Sequence, residues 1–385
     1  GVSGMTRVYI IRHAEAEGNL YRRIHGQYDS LVTDRGMKQI DALARRFEDV
    51  HIDAVYSSDL CRARTTAGAI YLPKKLPLHT DPRLREISMG AWEDKTWGEV
   101  EADETEQYRA FSLSPDRWHV PGSESWEAVQ RRMHEAVMSI AAENDGGTVA
   151  IVSHGCAIRA FMSLVLGVPA SDRESVPHCD NTSVNLFKVE NGRAEAVFIN
   201  DVSHLPDGLT DFRRETWWKS EDASDERCMR IEPFNVAANR ELYLARYREA
   251  WEISYGSATG FSSVYYDWAV MRSLAEERSV AQAYVRGRPA GMIELAPDSG
   301  ADEGCGHIAF LCMDREFRRK GLAVQLIGYA VSFYRPCGRD RLRLRVAQAN
   351  TQAMEFYLRY GFREVRRESG ALGDAVIMEK RIALP

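Results

Sequence analysis

Residues 8–15 read VYIIRHAE, in which four apolar residues are followed directly by Arg12 and His13. Residues 148–155 repeat this arrangement as TVAIVSHG, so His154 also follows a short apolar run. Short apolar runs bounded by polar residues predict buried strands. In an open parallel sheet the carboxyl ends of the strands meet at one edge, so we expect both histidines to face one site.

The same alternation of patterns continues to about residue 205. Apolar runs predict further strands at AVYS (54–57) and VNLFKV (184–189). Helical spacing of apolar residues occurs over 37–47, 59–71, 124–142 and 156–166. Strands alternating with helices predict an α/β fold, here a mostly parallel sheet with helices on both faces.

A break in composition divides the chain. Residues 219–227, KSEDASDER, contain no apolar side chain larger than alanine, and a polar stretch of this kind predicts a domain junction. After it, MRIEPF, a long helix through about residue 254, and the runs VAQAYV, AGMIEL, HIAFLCM and LRLRVA predict a second α/β unit. The predicted boundaries are an added remnant over 1–4, a first domain over 5–218, a linker over 219–228 and a second domain over 229–385.

Composition limits the classes of function. The 385 residues carry a formal net charge of -6, which argues against nucleic acid as the main partner. No apolar run approaches the roughly 20 residues of a membrane-spanning helix, and the start of the chain does not resemble a secretory signal. Seven cysteines without a C-x-x-C pair predict reduced thiols in a cytoplasmic protein.

The residues after the first strands suit phosphate chemistry. Arg12 and Arg62 can hold phosphate oxygens in a bidentate way. A neutral His13 can attack phosphorus and form a phosphohistidine, while a charged His154 would hold the oxygens. Glu86 would protonate the departing alkoxide and later activate water. Nothing in this set of residues requires a metal.

Four motifs carry a resemblance to the histidine phosphatase superfamily, also called phosphoglycerate mutase-like, over residues 5–218. They are Arg12-His13-Ala14-Glu15 with Asn19, Arg62-Ala63-x-x-Thr66, Leu84-x-Glu86 and Ser153-His154-Gly155. The resemblance implies a three-layer α/β/α domain that phosphorylates His13 and uses Glu86 as the proton donor. It implies a phosphate pocket lined by Arg12, Asn19, Arg62, His154 and Gly155, with no cofactor.

Details of the sequence refine this resemblance. Ala14 stands where the family usually has glycine, which is tolerable if its φ is negative. The stretch SMGAWEDKTW (88–97) resembles the phosphatase branch, so we expect hydrolysis of a small-molecule phosphate ester, with mutase-type phosphotransfer as the alternative.

Glu124 suits a helix cap better than catalysis. The remaining histidines of this half show no comparable context, although His204 is expected to close the fold: His25, His51, His79, His119, His134, His178 and His204.

A different anion site is predicted in the second half. Residues 307–327 indicate a strand, a tight turn and a helix, with Arg318-x-x-Gly321-x-Ala323 in the turn. Small residues let backbone N–H groups approach an anion, and the following helix directs its positive end to the same point. Arg318, Arg319 and Lys320 add side-chain charge. These features predict a pyrophosphate cradle.

The segment Asn350-x-x-Ala353-x-x-Phe356-Tyr357-x-x-x-Gly361-Phe362 follows one strand later. Its apolar residues share one helical face, which for Phe356 is simply a core face. Tyr357 differs, because a phenol beside a thioester can protonate the leaving thiolate.

Both blocks resemble the GNAT (Gcn5-related N-acetyltransferase) family over about residues 229–382. The resemblance implies a mixed-sheet α/β domain that binds acetyl-CoA and acetylates an amine. Its general base is not fixed by sequence, and Glu294 is one candidate. The residues implied to bind the cofactor are Phe310, Leu311, Met313, Arg318, Arg319, Lys320, Gly321, Leu322, Ala323, Asn350 and Tyr357.

The sequence thus predicts a bifunctional enzyme, a phosphatase joined to an N-acetyltransferase. A sensor of phospholigand or acetyl-CoA with one inactive domain is the alternative from another class. The ester, the acceptor amine, the oligomeric state and any coupling of the two sites are left open.

Overall fold

The computed structural model describes residues 4–210 and 228–385 of the chain. These residues form two compact units, the first mainly over 4–210 and the second over 228–385. Most of the predicted linker, 219–227, and residues 1–3 of the predicted remnant lie outside the described residues, so the domain boundaries stay predictions.

The first unit has one sheet with strand order β3-β2-β4-β1-β5-β6. Strands β1 to β4 run parallel to one another, whereas β5 pairs antiparallel with both β1 and β6. Its strands are β1 (Thr6–Arg12), β2 (Ala54–Ser57), β3 (Leu78–Thr80), β4 (Thr148–Ser153), β5 (Val184–Glu190) and β6 (Arg193–Asp201). Its helices are α1 (Glu17–Tyr21), α2 (Asp34–Phe47), α3 (Cys61–Lys74), α4 (Trp97–Asp103), α5 (Thr105–Leu113), α6 (Trp126–Glu143) and α7 (Gly155–Leu166).

The two faces of this sheet are covered by different helices. Ile11 of β1 belongs to a buried cluster with Leu43 of α2 and Ile70 of α3. On the other face, Phe161 of α7 packs edge to face against Phe187 of β5 with ring centroids 5.4 Å apart. Because side chains alternate along a strand, a central strand such as β1 supplies both cores, which confirms the three-layer α/β/α prediction.

The second unit has one mixed sheet with strand order β12-β13-β11-β10-β9-β8-β7, as the resemblance of this half implied. Only β10 and β11 pair in parallel, and their register ends at Ile308 and Leu344 although both strands continue. Its strands are β7 (Arg230–Pro233), β8 (Val280–Val285), β9 (Arg288–Leu295), β10 (Cys305–Met313), β11 (Arg341–Ala347), β12 (Arg363–Glu368) and β13 (Ala375–Arg381). Its helices are α8 (Arg240–Tyr255), α9 (Val264–Ala275), α10 (Val324–Tyr334) and α11 (Thr351–Arg359).

The early end of the β10–β11 register creates a cleft. Beyond Ile308 the two strands diverge, so β10 pairs only with β9 and β11 only with β13. Backbone groups on the facing edges of the diverging segments therefore remain open to a ligand. No helix in the described part of the chain combines the length and hydropathy needed to cross a bilayer.

Candidate active sites

Strands β1 and β4 deliver two histidines to one point of the first unit. Arg12 and Ser153, the last residues of these adjacent parallel strands, are register partners. The next residues, His13 and His154, place their ring centroids 5.1 Å apart. Both side chains are buried, His13 with 5% and His154 with 0% exposure. The structure therefore brings together the two imidazoles singled out in the sequence.

A single hydrogen bond sets the tautomer of His13. Nδ1 lies 2.7 Å from the carbonyl oxygen of Ala14. A carbonyl oxygen only accepts, so Nδ1 carries the hydrogen and Nε2 of the neutral ring holds the lone pair. The φ of Ala14 is not positive, so its methyl group is compatible with the backbone there. His13 is thus arranged to attack through Nε2.

A buried arginine, Arg62, and a half-buried arginine, Arg12, lie beside the histidine pair. The Arg62 guanidinium is 2% exposed and donates to the backbone carbonyls of Tyr28, His25 and Gly26. Arg12 lies against the start of α7, where a Cβ added to Gly155 would stand 3.1 Å from Arg12 Nε. A side chain at position 155 would therefore displace Arg12.

The electrostatics of this pocket correct the charge state that was expected for His154. Burial, followed by Arg62 and Arg12, lowers the pKa of His13 well below 6.5. Burial, Arg62 and His13 also lower the pKa of His154 well below 6.5, so His154 is neutral near neutral pH rather than the cation predicted from sequence. Its Nε2 lies 2.7 Å from Ser58 Oγ, and its buried Nδ1 has no partner among the described residues. A neutral His154 can still hold an anion as an N–H donor.

Glu86 lies in a half-buried loop and is tied to the helix that follows His154. Its two carboxylate oxygens accept the backbone N–H groups of Cys156 and Ala157, at 3.0 and 2.8 Å, in the first turn of α7. Carboxylates are favoured at helix N-termini. Glu86 and His154 are therefore positioned by the same turn.

Asn19 reaches the site through a neighbouring amide. Asn181 Nδ2 donates to the His13 carbonyl at 2.9 Å and lies 3.4 Å from Asn19 Oδ1. Asn19 Oδ1 also accepts the Ala16 N–H at 3.1 Å. The structure thus connects Asn19 to the His13 backbone.

Sequence reasoning missed several residues that hold this site. Glu93 accepts the backbone N–H groups of Gly26, Gln27 and Tyr28, the loop whose carbonyls hold Arg62. His25, for which the sequence predicted no functional role, belongs to this loop, and its carbonyl accepts from Arg62. Glu93 lies in the quoted stretch 88–97, but its role depends on contacts about 66 residues distant in sequence.

The role of Glu124 also differs from the helix cap that the sequence predicted. Ser125, not Glu124, caps α6 by accepting the N–H of Ala128. Glu124 instead pairs with Arg132, whose guanidinium donates to the carbonyls of Arg83, Arg85 and Glu86. Arg132 therefore anchors the loop that carries Glu86.

The second unit contains a cavity of about 490 Å³ beside the turn before α10. Arg319 and Gly321 adopt positive φ angles of 60° and 72°, and successive N–H groups in such a backbone form an anion-binding concavity. A Cβ on Gly321 would meet nothing within 4 Å, so the turn is open to a ligand. Predicted cofactor residues lining this cavity are Leu311, Met313, Arg318, Arg319, Gly321, Leu322, Ala323, Asn350 and Tyr357.

Two of the predicted cofactor residues, Phe310 and Lys320, do not line this cavity, and a third, Asn350, has an additional role. Phe310 lines a neighbouring cavity of about 380 Å³. Lys320 stands over the Phe317 ring, with Nζ 5.8 Å from its centroid. Asn350 caps α11 by accepting the Ala353 N–H at 3.2 Å, so its side chain has a structural task as well as a place on the cavity wall.

The two cavities share a wall that includes Leu311, Asn350 and Tyr357. Tyr357 is 8% exposed, and burial followed by Cys312 raises its pKa, so the phenol stays protonated and can donate a proton but not serve as a base. Glu294 lines the second cavity, accepts from Tyr243 Oη at 2.6 Å and pairs with Arg272. Burial raises the pKa of Glu294, while Tyr243 and Arg272 oppose that rise.

In the described parts of the chain, 4–210 and 228–385, no group of three or more His, Cys, Asp or Glu side chains is placed to hold a metal ion. That the phosphatase reaction needs no metal stays a prediction from the sequence.

Comparison with known proteins identifies both units. The family described as "Histidine phosphatase superfamily (branch 1)" matches residues 8–202, and the "Acetyltransferase (GNAT) family" matches residues 236–362. A "Probable phosphoglycerate mutase GpmB" from Yersinia pestis (strain Pestoides F) is 36% identical over 166 residues, 43% of this chain and 77% of that protein. Its counterpart from Erwinia tasmaniensis is 35% identical over 167 residues, 43% of this chain and 78% of that protein. The solved structure of Bacillus stearothermophilus YhfR has a TM-score of 0.50 and 34% identity, covering 52% of this chain and 98% of that one.

Proposed function

The chain belongs to the histidine phosphatase superfamily and carries a GNAT-family domain after it, and from this we propose that its first domain, residues 5–218, hydrolyses small-molecule phosphate monoesters through a phosphohistidine at His13. The observation that carries the proposal is the pair of imidazoles, whose ring centroids lie 5.1 Å apart, beside Arg12 and Arg62. Nε2 of His13 holds the lone pair that would attack phosphorus. Such a pocket supplies a nucleophile and donors around one phosphate.

The proposed reaction has two steps. In the first, His13 Nε2 attacks phosphorus, the ester P–O bond breaks, and the alkoxide leaves with a proton from Glu86. In the second, water attacks the phosphohistidine, the Glu86 carboxylate takes its proton, and phosphate leaves with His13 neutral again. Arg12, Arg62, Asn19, His154 and the Gly155 amide would hold the phosphoryl oxygens throughout.

Mutase-type transfer between hydroxyl groups is the second candidate, since two relatives are described as probable phosphoglycerate mutases. The resemblance of residues 88–97 to the phosphatase branch favours water as the acceptor. The two activities differ only in what accepts the phosphoryl group from His13.

Turnover of p-nitrophenyl phosphate, with and without EDTA, tests the hydrolase. We expect EDTA-insensitive hydrolysis that His13→Ala abolishes and that His119→Ala, a change at an exposed histidine, leaves intact. Rapid quenching of a reaction with ³²P-labelled substrate should trap a label that is stable in base and labile in acid on the native protein, and His13→Ala should not carry it. Interconversion of 3- and 2-phosphoglycerate faster than phosphate release would instead establish the mutase, and binding without turnover would establish the sensor.

We propose that the second domain, residues 229–385, transfers acetyl from acetyl-CoA to an amine. The divergence of β10 and β11 carries this proposal, because it opens the sheet between the turn at Arg319–Ala323 and the second cavity. Acetyl-CoA would supply the activated acyl group. The turn amides would hold its pyrophosphate, Glu294 would take the proton of the amine, and Tyr357 would donate to the departing sulfur.

Thiol release from acetyl-CoA in the presence of an amine panel tests this second activity. Tyr357→Phe should lower kcat with little change in acetyl-CoA affinity, because it removes only the hydroxyl group. Tight acetyl-CoA binding without thiol release would point to a sensor. A cytoplasmic location and the absence of a nucleic-acid partner stay predictions from composition.

A further inference from the structure

The second cavity has an aromatic wall built from α8, α9 and β10. Its volume is about 380 Å³, within the range of small-ligand pockets. Trp268 lines it and is 45% exposed, which places that ring at the opening. The aromatic side chains that line the cavity are Tyr247, Trp251, Tyr255, Tyr265, Trp268 and Phe310. The acceptor amine must fit against these rings.

The stacking inside the wall decides which part of Tyr247 a guest meets. Tyr265 stacks on Tyr247 with centroids 4.6 Å apart, and Phe310 stacks on it at 4.4 Å. Two rings this close must cover opposite faces of Tyr247, so Tyr247 offers the cavity its edge. Trp268 meets Tyr265 edge to face with an interplanar angle of 88°. Ring edges carry positive partial charge and prefer the face of another aromatic ring, whereas cations require ring faces.

The charged groups of the cavity also disfavour a guest with several positive charges. Arg272 and Arg345 both line it, and both are paired, Arg272 with Glu294 and Arg345 with Glu368. Burial, Arg272 and Arg343 lower the pKa of His307, so that ring adds no charge near neutral pH. Glu294, the carboxylate that lines this cavity, is already engaged by Tyr243 and Arg272, so a guest with several fixed positive charges would find no unpaired carboxylate there.

From the exposed edge of Tyr247 and the engagement of Glu294, we infer that the acceptor is a primary amine bearing an aryl group, bound with its ring face against that edge within the aromatic wall. The inference rests on the proposed acetyl transfer. In that reaction R–NH₃⁺ and acetyl-S-CoA give R–NH–CO–CH₃, HS-CoA and H⁺. The N–C bond forms as the C–S bond breaks, one amine proton is released, and a second ends on sulfur.

Thiol release with saturating acetyl-CoA should rank three amines: 2-phenylethylamine first, hexylamine second and spermidine last. An aromatic pair contributes beyond its buried area, so we expect kcat/KM for 2-phenylethylamine to exceed that for hexylamine about three- to tenfold. Trp251→Leu keeps an apolar side chain but removes a ring of the wall, and should lower kcat/KM for 2-phenylethylamine far more than that for hexylamine, which abolishes this margin. Tyr329→Leu, in neither cavity, should keep the margin.

Titration calorimetry of 2-phenylethylamine into the CoA-saturated protein gives a readout that does not depend on turnover. Turnover of hexylamine or spermidine equal to that of 2-phenylethylamine would overturn the inference and leave acetyl transfer standing. Binding of 2-phenylethylamine that Trp251→Leu weakens, without thiol release from any amine, would refute acetyl transfer but support the assigned ligand class. Absence of both binding and turnover would refute both.

Discussion

His13 owes its reactivity to two features of its surroundings that act on the same ring. The Ala14 carbonyl fixes the hydrogen on Nδ1, and Arg62 and Arg12 help burial to lower the pKa. The ring is therefore neutral, with Nε2 available, at a pH where an ordinary histidine is half protonated. A charged phosphate site thus keeps its nucleophile unprotonated.

This arrangement predicts the pH profile of the phosphatase. Since His13 attacks only when neutral, the acid limb of kcat/KM should lie below pH 6.5. Arg62→Met removes a cation, so the pKa of His13 should rise and the acid limb should move to higher pH, with a loss of roughly 10²–10³ in rate. Initial rates with p-nitrophenyl phosphate between pH 4.5 and 8 measure both effects, and exposed Arg45→Met is the control. An unchanged acid limb in Arg62→Met would contradict this account of His13.

Thr182 is a strained residue beside the nucleophile. Its φ is 60°, an outlier for a β-branched residue. Its N–H donates to the carbonyls of Arg12 and His13, and its hydroxyl lies 3.1 Å from His204 Nε2. Arg46 donates to Nδ1 of His204, so Nε2 carries the hydrogen. His204 therefore helps to hold a strained turn against the His13 backbone.

The strain predicts an inverted order of stability for two substitutions. Both Thr182→Ala and Thr182→Gly remove the hydroxyl, but only glycine adopts a positive φ without strain. Thr182→Gly should therefore be more stable than Thr182→Ala by about 1 kcal/mol in urea unfolding, the reverse of the usual preference. The same pair at exposed Ala142, inside helix α6, should show the usual order. Equal stabilities at position 182 would mean that the turn is not strained.

The functional residues that the sequence revealed are those that directly follow a strand. His13 and His154 could be predicted because strand ends place them at a common edge. Glu93, Asn181 and Thr182 could not, because they act through backbone contacts that join distant parts of the chain. The charge state of His154 was also beyond the sequence, since it depends on burial.

At the scale of elements, helix α6 supports the loop that carries Glu86. Arg132→Met should break the hydrogen bonds to the carbonyls of Arg83, Arg85 and Glu86 and leave Glu124 without its partner. We expect a drop in kcat of about tenfold or more, with little change in KM, because the phosphate pocket is formed by other elements. Arg131→Met, the exposed neighbour on the same helix, should be silent. A change confined to KM would show that this loop binds the substrate rather than positions Glu86.

The turn before α10 gives a matching prediction for the second domain. Gly321 and Gly338 both have positive φ, 72° and 78°, and neither meets an atom within 4 Å where a Cβ would be added. Alanine at either position should therefore cost similar stability, roughly 1 kcal/mol. Only Gly321→Ala should also weaken acetyl-CoA binding in calorimetry, about tenfold, because only Gly321 lines the large cavity. Equal affinity in both variants would remove the turn from the binding site.

Elements with clear apolar periodicity were predicted nearly to their ends. AVYS (54–57) coincides with β2, and the predicted helix over 156–166 differs from α7 by one residue. Strand β12 was missed because its side chains are almost all exposed and charged, so no alternation of apolar residues marks it. The pairing of β5 and β6 as an antiparallel edge was also unpredictable, since register depends on partners distant in sequence.

At the scale of the whole molecule, buried neutral histidines make stability depend on pH. Burial is the largest cause that lowers the pKa of His13, His25 and His154, and it lowers the pKa of His204 to about 4. All four lie in the first unit. In the unfolded chain these rings protonate near pH 6.5, whereas in the folded chain they resist protonation.

The sign of the effect follows from proton linkage. Below pH 6.5 the unfolded state binds more protons than the folded state, so the free energy of unfolding falls as the pH falls. Each fully buried histidine contributes about 1.4 kcal/mol per pH unit until its folded pKa is reached. Calorimetric scans at pH 7.5 and 5.5 should show a Tm of the first domain lower at pH 5.5 by roughly 5 °C or more. His154→Gln removes one such group and should reduce this drop, whereas His119→Gln, at an exposed position, should not. A Tm that stays constant across this range would mean that the pocket histidines are protonated in the folded protein, and the neutral nucleophile would lose its physical basis.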